Sequence, residues 1–227
     1  MARNGEQLLL LVGIPVLLLV FFSQVDILPT QGLSSIAFLV PGVLALAVMS
    51  SAMVSLGIAT GFERSYGVLR RLGTTPLGTR RLVLAKITAT CFIEIGQLFL
   101  ITMVGLALGW RPNDSNWLLI VVTIALGTIC FAGIGLTLAG RLRAEVNLAA
   151  QNGLYLVLLL LGGVILPNDE LPRIAESFAQ WLPSTALSEL LRAGVNGQDL
   201  AMKSLVILGV WSITACTSAV NFFKWSG

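Results

Sequence analysis

ILPTQGLSSIAFLVPGVLALAVMSSAMVSLGIATGFERSYGVLRRLGTTPLGTRRLVLAK occupies residues 27–86. From 27 to 62 it carries no charged side chain, whereas six of the 26 residues from 61 to 86 are Arg or Lys. The hydrocarbon core of a bilayer takes about 20 apolar residues as a helix. The first part is long enough to cross it, and the second is too charged to do so. A membrane span therefore ends near residue 60, and a basic elbow follows.

The same pattern recurs along the 227 residues. Segments 7–25, 115–140, 146–168 and 204–223 are also uncharged, and 82–109 is apolar apart from Lys86 and Glu94. Six spans are predicted, at about 7–25, 33–60, 82–108, 116–139, 147–166 and 203–223. Backbone groups in lipid must bond within their own segment, so continuous apolar runs read as helices. A barrel would need short alternating segments instead. The composition agrees: 56% hydrophobic, 11% charged, mean hydropathy +0.90. The first run is read as a span and not as a cleaved signal, because no small-x-small site followed by soluble sequence appears. No linker or repeat divides the chain, so residues 1–227 are taken as one domain.

Charge predicts the orientation. With six spans both termini share one side. That side collects Arg3, Arg64, Arg70, Arg71, Arg80, Arg81, Lys86, Arg141, Arg143 and Lys224, against Arg111, Arg173, Arg192 and Lys203 on the other. The positive-inside rule puts both termini in the cytoplasm. The net charge of +3 follows from this bias. It does not point to nucleic acid, since no aromatic–basic interleaving of the kind that binds single strands is present.

The chain has no His, which excludes His triads, His proton shuttles and His metal sites. Cys91, Cys130 and Cys216 fall inside predicted spans without CxxC spacing, and read as small core residues. No G-x-x-x-x-G-K-[ST] loop occurs, so ATP is not bound here in that way. Gly57-x-x-x-Gly61 and Gly105-x-x-x-Gly109 match the small-residue pattern of helix packing. Ser50, Ser51 and Ser55 are polar residues within the second span.

The elbow has more shape than topology requires. Taken as one helix from Phe62 to Leu72, it aligns Phe62, Tyr66, Leu69 and Leu72 on one face. Arg64 and Arg71 point to the other, with Glu63 and Arg70 on the flanks. Such a helix suits the membrane surface or a partner protein. It ends at Gly73, and Pro76 biases Thr75 away from helix.

Glu94 lies 13 residues beyond Arg81, about 20 Å along a helix. That places it near the midplane, where a charge costs about 2.5–3.5 kcal/mol on insertion scales. Gln97, one turn on, is a candidate partner. Glu94 reads either as a pathway or gating residue or as a hydrogen-bonded strut between spans. Lys86 lies about one turn from the cytoplasmic end and reads as a snorkelling anchor.

The connection from 167 to 202 is too long for a plain turn. Ile174, Phe178, Trp181 and Leu182 share a helical face. Pro183 breaks that helix, and Ser184 caps a second one running to Gly194.

Two segments resemble the permeases of ATP-binding-cassette type-2 exporters. Glu63-Arg64, Gly67, Leu69, Leu72, Thr75-Pro76 and Lys86 match the family's E-R-x-x-G-x-L-x-x-L-x-x-T-P pattern and its following helix. Pro167, Leu171-Pro172, Leu182-Pro183, Glu189 and Arg192 match its signature before the last span. Gly13-Ile14-Pro15 and the run to Phe21-Phe22 are similar to its first span. The resemblance implies an all-α membrane protein of six spans. It implies a cytoplasmic coupling helix from Glu63 to Leu72 that docks a separate ATPase, and an extracellular re-entrant hairpin that acts as a gate. It further implies a second permease subunit, ATP and Mg held by the partner ATPase and not by this chain, and no catalysis on this chain. The aliphatic spans, with 7% aromatic residues, tilt the cargo towards a drug or lipid. The composition is compatible with a bacterial plasma membrane. The runner-up is a motor-independent channel or secondary carrier, which would be expected to show more intramembrane charge or broken helices. A membrane-embedded enzyme would need a cluster of His, Asp or Cys near one membrane face.

Overall fold

A computed structural model describes residues 5–23, 35–76, 78–112, 115–163 and 172–224, with side chains in the first segment from residue 13 onward. All regular structure among them is helical. Helix α1 is Gly5–Ser23. A continuous rod follows, made of α2 (Ser35–Met49), a π-helical segment (Ser50–Ser55) and α3 (Leu56–Ser65). Then come α4 (Val68–Gly73), α5 (Gly78–Ala107), α6 (Trp117–Ala139), α7 (Ala144–Leu161), α8 (Arg173–Ala179), α9 (Pro183–Val195) and α10 (Met202–Phe222).

Among the described residues, five of these are long and apolar enough to cross a membrane: the rod, α5, α6, α7 and α10. The first predicted span coincides with α1, a helix of 19 residues whose fully described part, Gly13–Ser23, is apolar. Expected spans and observed helices otherwise agree within a few residues, because uncharged length is what selects them.

The rod is the core. In its most apolar stretch 83% of residues are buried, against 22–28% for α5, α7 and α10. The outer faces of those three carry Phe92, Ile95 and Phe99, then Leu156 and Leu160, then Val206 and Ile213, all exposed. That is the pattern of a protein whose solvent is lipid. The glycines set how closely helices approach. A Cβ on Gly133 would sit 2.6 Å from the backbone of Ala215 in α10, and one on Gly135 would sit 2.6 Å from the Met53 carbonyl oxygen in the rod. Two residues apart on α6, they open opposite faces. Gly57 and Gly61 do the same for α7, whose Gln151 and Asn147 side chains fill the space. Asn147 donates to the Gly57 carbonyl (3.0 Å) and Gln151 to that of Gly135 (2.9 Å).

The second small-residue match divides. Gly105 packs under Val40 and Trp110, but Gly109 meets nothing and has φ +93°. It ends α5, with the N–H of Trp110 bonded to the Gly105 carbonyl and that of Gly109 to the Leu106 carbonyl.

Two ends can be distinguished. Lys224 N–H reaches the Gly140 carbonyl (3.2 Å) and Arg141 lies over the Phe222 ring, so the end of α6 and the end of α10 meet. This is the elbow end. At the hairpin end, Asn116 N–H and Ser115 Oγ donate to the carbonyls of Gly194 and Val195.

Gly135→Ala should lower thermal stability by about 1–3 kcal/mol, since the helices must separate to admit a methyl group. Gly153→Ala, on open surface, should not. Thermal melts of the two variants in detergent check this, and equal melting points would contradict it.

Candidate functional site

The elbow is not one helix. α3 ends at Ser65, Gly67 takes a left-handed conformation (φ +74°), and α4 starts at Val68. The predicted periodicity runs across this break, and the expected apolar face is divided by it. Leu69 is fully buried with Leu82 and Phe223, anchoring α4 to the start of α5 and the end of α10. Tyr66 stacks on Phe62 (6.0 Å between centroids) and is 76% exposed. Val68, Leu72, Arg70 and Arg71 are exposed as well. Thr74 and Thr75 return their hydroxyls to the carbonyls of Arg71 and Leu72, closing α4 before Pro76.

The two charges before the break do different work. Arg64 is buried, not on an open face. Its Nη1 donates to the carbonyls of Ala139 (2.8 Å) and Leu142 (3.3 Å) and so caps the end of α6. Glu63 accepts from Lys86 Nζ at 2.6 Å. The ammonium is thus held by a carboxylate. Through these residues the elbow is tied to α5, α6 and α10.

Glu94 is 2% exposed. One carboxyl oxygen accepts from Ser51 of the π segment (2.6 Å) and the other from Thr128 of α6 (2.5 Å). Three spans meet at this knot. Gln97 is buried one turn further along α5. The π segment gives the rod a wider turn, a feature often found at functional sites. Ser50, Ser55 and Tyr155 line a cavity of about 360 Å³ between α1, the rod and α7, whose other walls include Ile14, Leu18, Leu46 and Val54.

At the hairpin end the predicted helix pair is present as α8 and α9, and Pro167 lies outside the described residues. Pro172 is the residue before α8. Pro183 opens α9 at its first turn, where a missing N–H costs nothing, so it starts this helix. The residue before the helix is Leu182, and Ser184 is buried without a capping bond. α9 is a core element, with Leu187, Leu190 and Leu191 fully buried. Ser188 donates to the Gly162 carbonyl (2.8 Å), and Arg192 donates to that of Gly163 while lying over the Phe38 ring (4.3 Å). Glu189 accepts from Ser204 of α10. Phe178 and Trp181 are exposed, and the Trp181 carbonyl accepts from the Trp211 indole (2.9 Å).

Sequence reasoning did not assign Ser51 or Thr128 to Glu94, nor foresee Asn147 and Gln151. The latter pair had a signal: two amides at i, i+4 in an apolar run share one face.

A profile of the ABC-2 type transporter family matches residues 1–196, covering α1 through α9. The chain belongs to that family. YvfS of Bacillus subtilis (strain 168), named as a transport permease, is 29% identical over 163 residues, covering 71% of this chain and 66% of that protein. The linearmycin resistance permease protein LnrN of the same organism is 27% identical over 136 residues, covering 58% of this chain and 32% of that protein. The matched regions thus span just under two thirds and about a third of these relatives. Family and helices together make this a multi-pass membrane protein of the ABC-2 type transporter family.

Arg64→Ala should destabilise by about 1–3 kcal/mol, because two carbonyls at the end of α6 lose their donor. Arg70→Ala, exposed, should stay within about 0.5 kcal/mol of the parent. Melting curves of the two variants decide, and an unchanged Arg64→Ala would remove its role as a cap.

Proposed function

We propose that this chain is the membrane-spanning half of an ATP-driven exporter that moves an amphiphilic or lipophilic solute, a drug or a lipid, out of the cytoplasm. A separate cytoplasmic ATP-binding-cassette ATPase carries ATP and Mg and docks at the elbow. Tyr66, Val68, Arg70, Arg71 and Leu72 form the docking face. Gly67 turns α4 outward to present it, and Thr75-Pro76 closes it. α1 counts as the sixth span, with both termini cytoplasmic in a bacterial plasma membrane, and two permease subunits frame the pathway.

The observation that carries this reading is an exposed basic and apolar helix set in an elbow that is tied to three spans. Leu69 passes movement of α4 to α10 and the start of α5, and Glu63 and Arg64 at the end of α3, just before α4, tie the elbow to α5 and α6. α5 and α6 converge again at Glu94. Its bonds to Ser51 and Thr128, with Gln97 beside it, form a gate element that has two arrangements as the motor closes. At the far end α8 and α9, with Pro172, Phe178, Trp181, Pro183, Glu189 and Arg192, form the outer gate. The mostly apolar cavity beside the π segment, with a few hydroxyls, suits an amphiphilic cargo.

Reversing charge at Arg70 and Arg71 together should abolish transport while the protein inserts normally and the ATPase continues to turn over. Full transport by the inserted double variant would refute docking at this face. Glu94→Gln keeps an acceptor oxygen on one side, so it should fold yet transport at a changed rate. Failure to assemble would show a purely structural knot.

A further inference from the structure

α8 has two unlike faces. Ile174, Phe178 and Trp181, spaced i, i+4, i+7, are 78%, 69% and 60% exposed. Arg173, Glu176, Ser177 and Gln180 instead line a cavity of about 520 Å³, completed by Glu189 of α9 and by Lys203 and Ser204 of α10. The cavity holds two cations and two carboxylates, yet no ion pair joins them among the described residues. Lys203 donates to Gln180 (2.7 Å) and lies 5.2 Å from the Trp181 ring, while one oxygen of Glu189 accepts from Ser204. Neither the Arg173 nor the Glu176 side chain has a partner among the described residues. Separated charges of both signs beside an exposed aromatic face, at the end of a span, match a molecule with both charges and an apolar tail. Trp at such a boundary is the usual membrane-interface anchor.

We propose that this cavity is a headgroup site for a zwitterionic glycerophospholipid of the membrane. Arg173 and Lys203 take the phosphate, Glu176 and Glu189 take the ammonium, and the acyl chains lie along Ile174, Phe178 and Trp181. The site rests on the cavity and its charges, not on motor-driven transport, so its binding test stands or falls alone.

The test is native mass spectrometry of the purified full chain with added phosphatidylethanolamine or phosphatidylglycerol. Phosphatidylethanolamine should be retained preferentially. Arg173→Glu with Lys203→Glu should weaken its retention about tenfold, the sum of two exposed charge contacts. Glu176→Lys, at an exposed position, should erase the preference and favour phosphatidylglycerol, with the melting point unchanged. Equal retention of both lipids, unaltered by these variants, would overturn the proposal. Free phosphoethanolamine should fail to displace the lipid at equal concentration. If it binds as tightly, the apolar face takes no part and the lipid assignment is wrong.

Discussion

The bilayer core offers no hydrogen bonds, so every polar group placed there must find its partner in the protein. Glu94 is the most demanding case. Its carboxyl oxygens are met by Ser51 and Thr128, and those three residues sit on α5, the rod and α6. Asn147 and Gln151 answer the same demand on α7 by bonding the carbonyls of Gly57 and Gly135. Lipid tails are as apolar as Leu, so burial of aliphatic surface gives little force between spans. Packing and these polar contacts hold the bundle. That explains the glycines at four of these contacts: Gly57, Gly61, Gly133 and Gly135 each bring backbone or a polar side chain within reach.

The same constraint shapes the elbow. A basic segment between two spans would hold topology without any further structure. Here it is fixed, by Leu69 in a small apolar core, by Arg64 on the end of α6 and by Glu63 on Lys86. A rigid lever passes force where a loose loop would absorb it. In the proposed mechanism the exposed part of α4 receives the push, and these ties divide it among α5, α6 and α10.

Much of this was legible in the sequence because length without charge is a one-dimensional signal. The rod, α5, α6, α7 and α10 lie where the uncharged runs lie, and the segment before α10 resolves into two helices as expected. Features set by tertiary contact were not legible. The spacing of Phe62, Tyr66, Leu69 and Leu72 continues smoothly through Gly67, and only the φ of that glycine reveals the break. Arg64 reads as one more surface cation until the open carbonyls at the end of α6 are placed beside it. Pro183 was expected as a breaker, whereas its position at the first turn makes it a helix start. The partners of Glu94 are 43 and 34 residues away in the chain, and local periodicity says nothing of such pairings.

The central claim is that the elbow docks a motor. The most direct test is to purify the chain in mild detergent and identify by mass spectrometry what accompanies it. The account predicts a cytoplasmic ATP-binding-cassette ATPase in stoichiometric amount, lost when Tyr66 and Leu72 are both changed to Asp and retained when only the exposed Phe92 is changed. Leu69 is left intact because its burial would confuse a folding defect with a docking defect. A stable oligomer of this chain alone, moving solute across a membrane without ATP, would contradict the account.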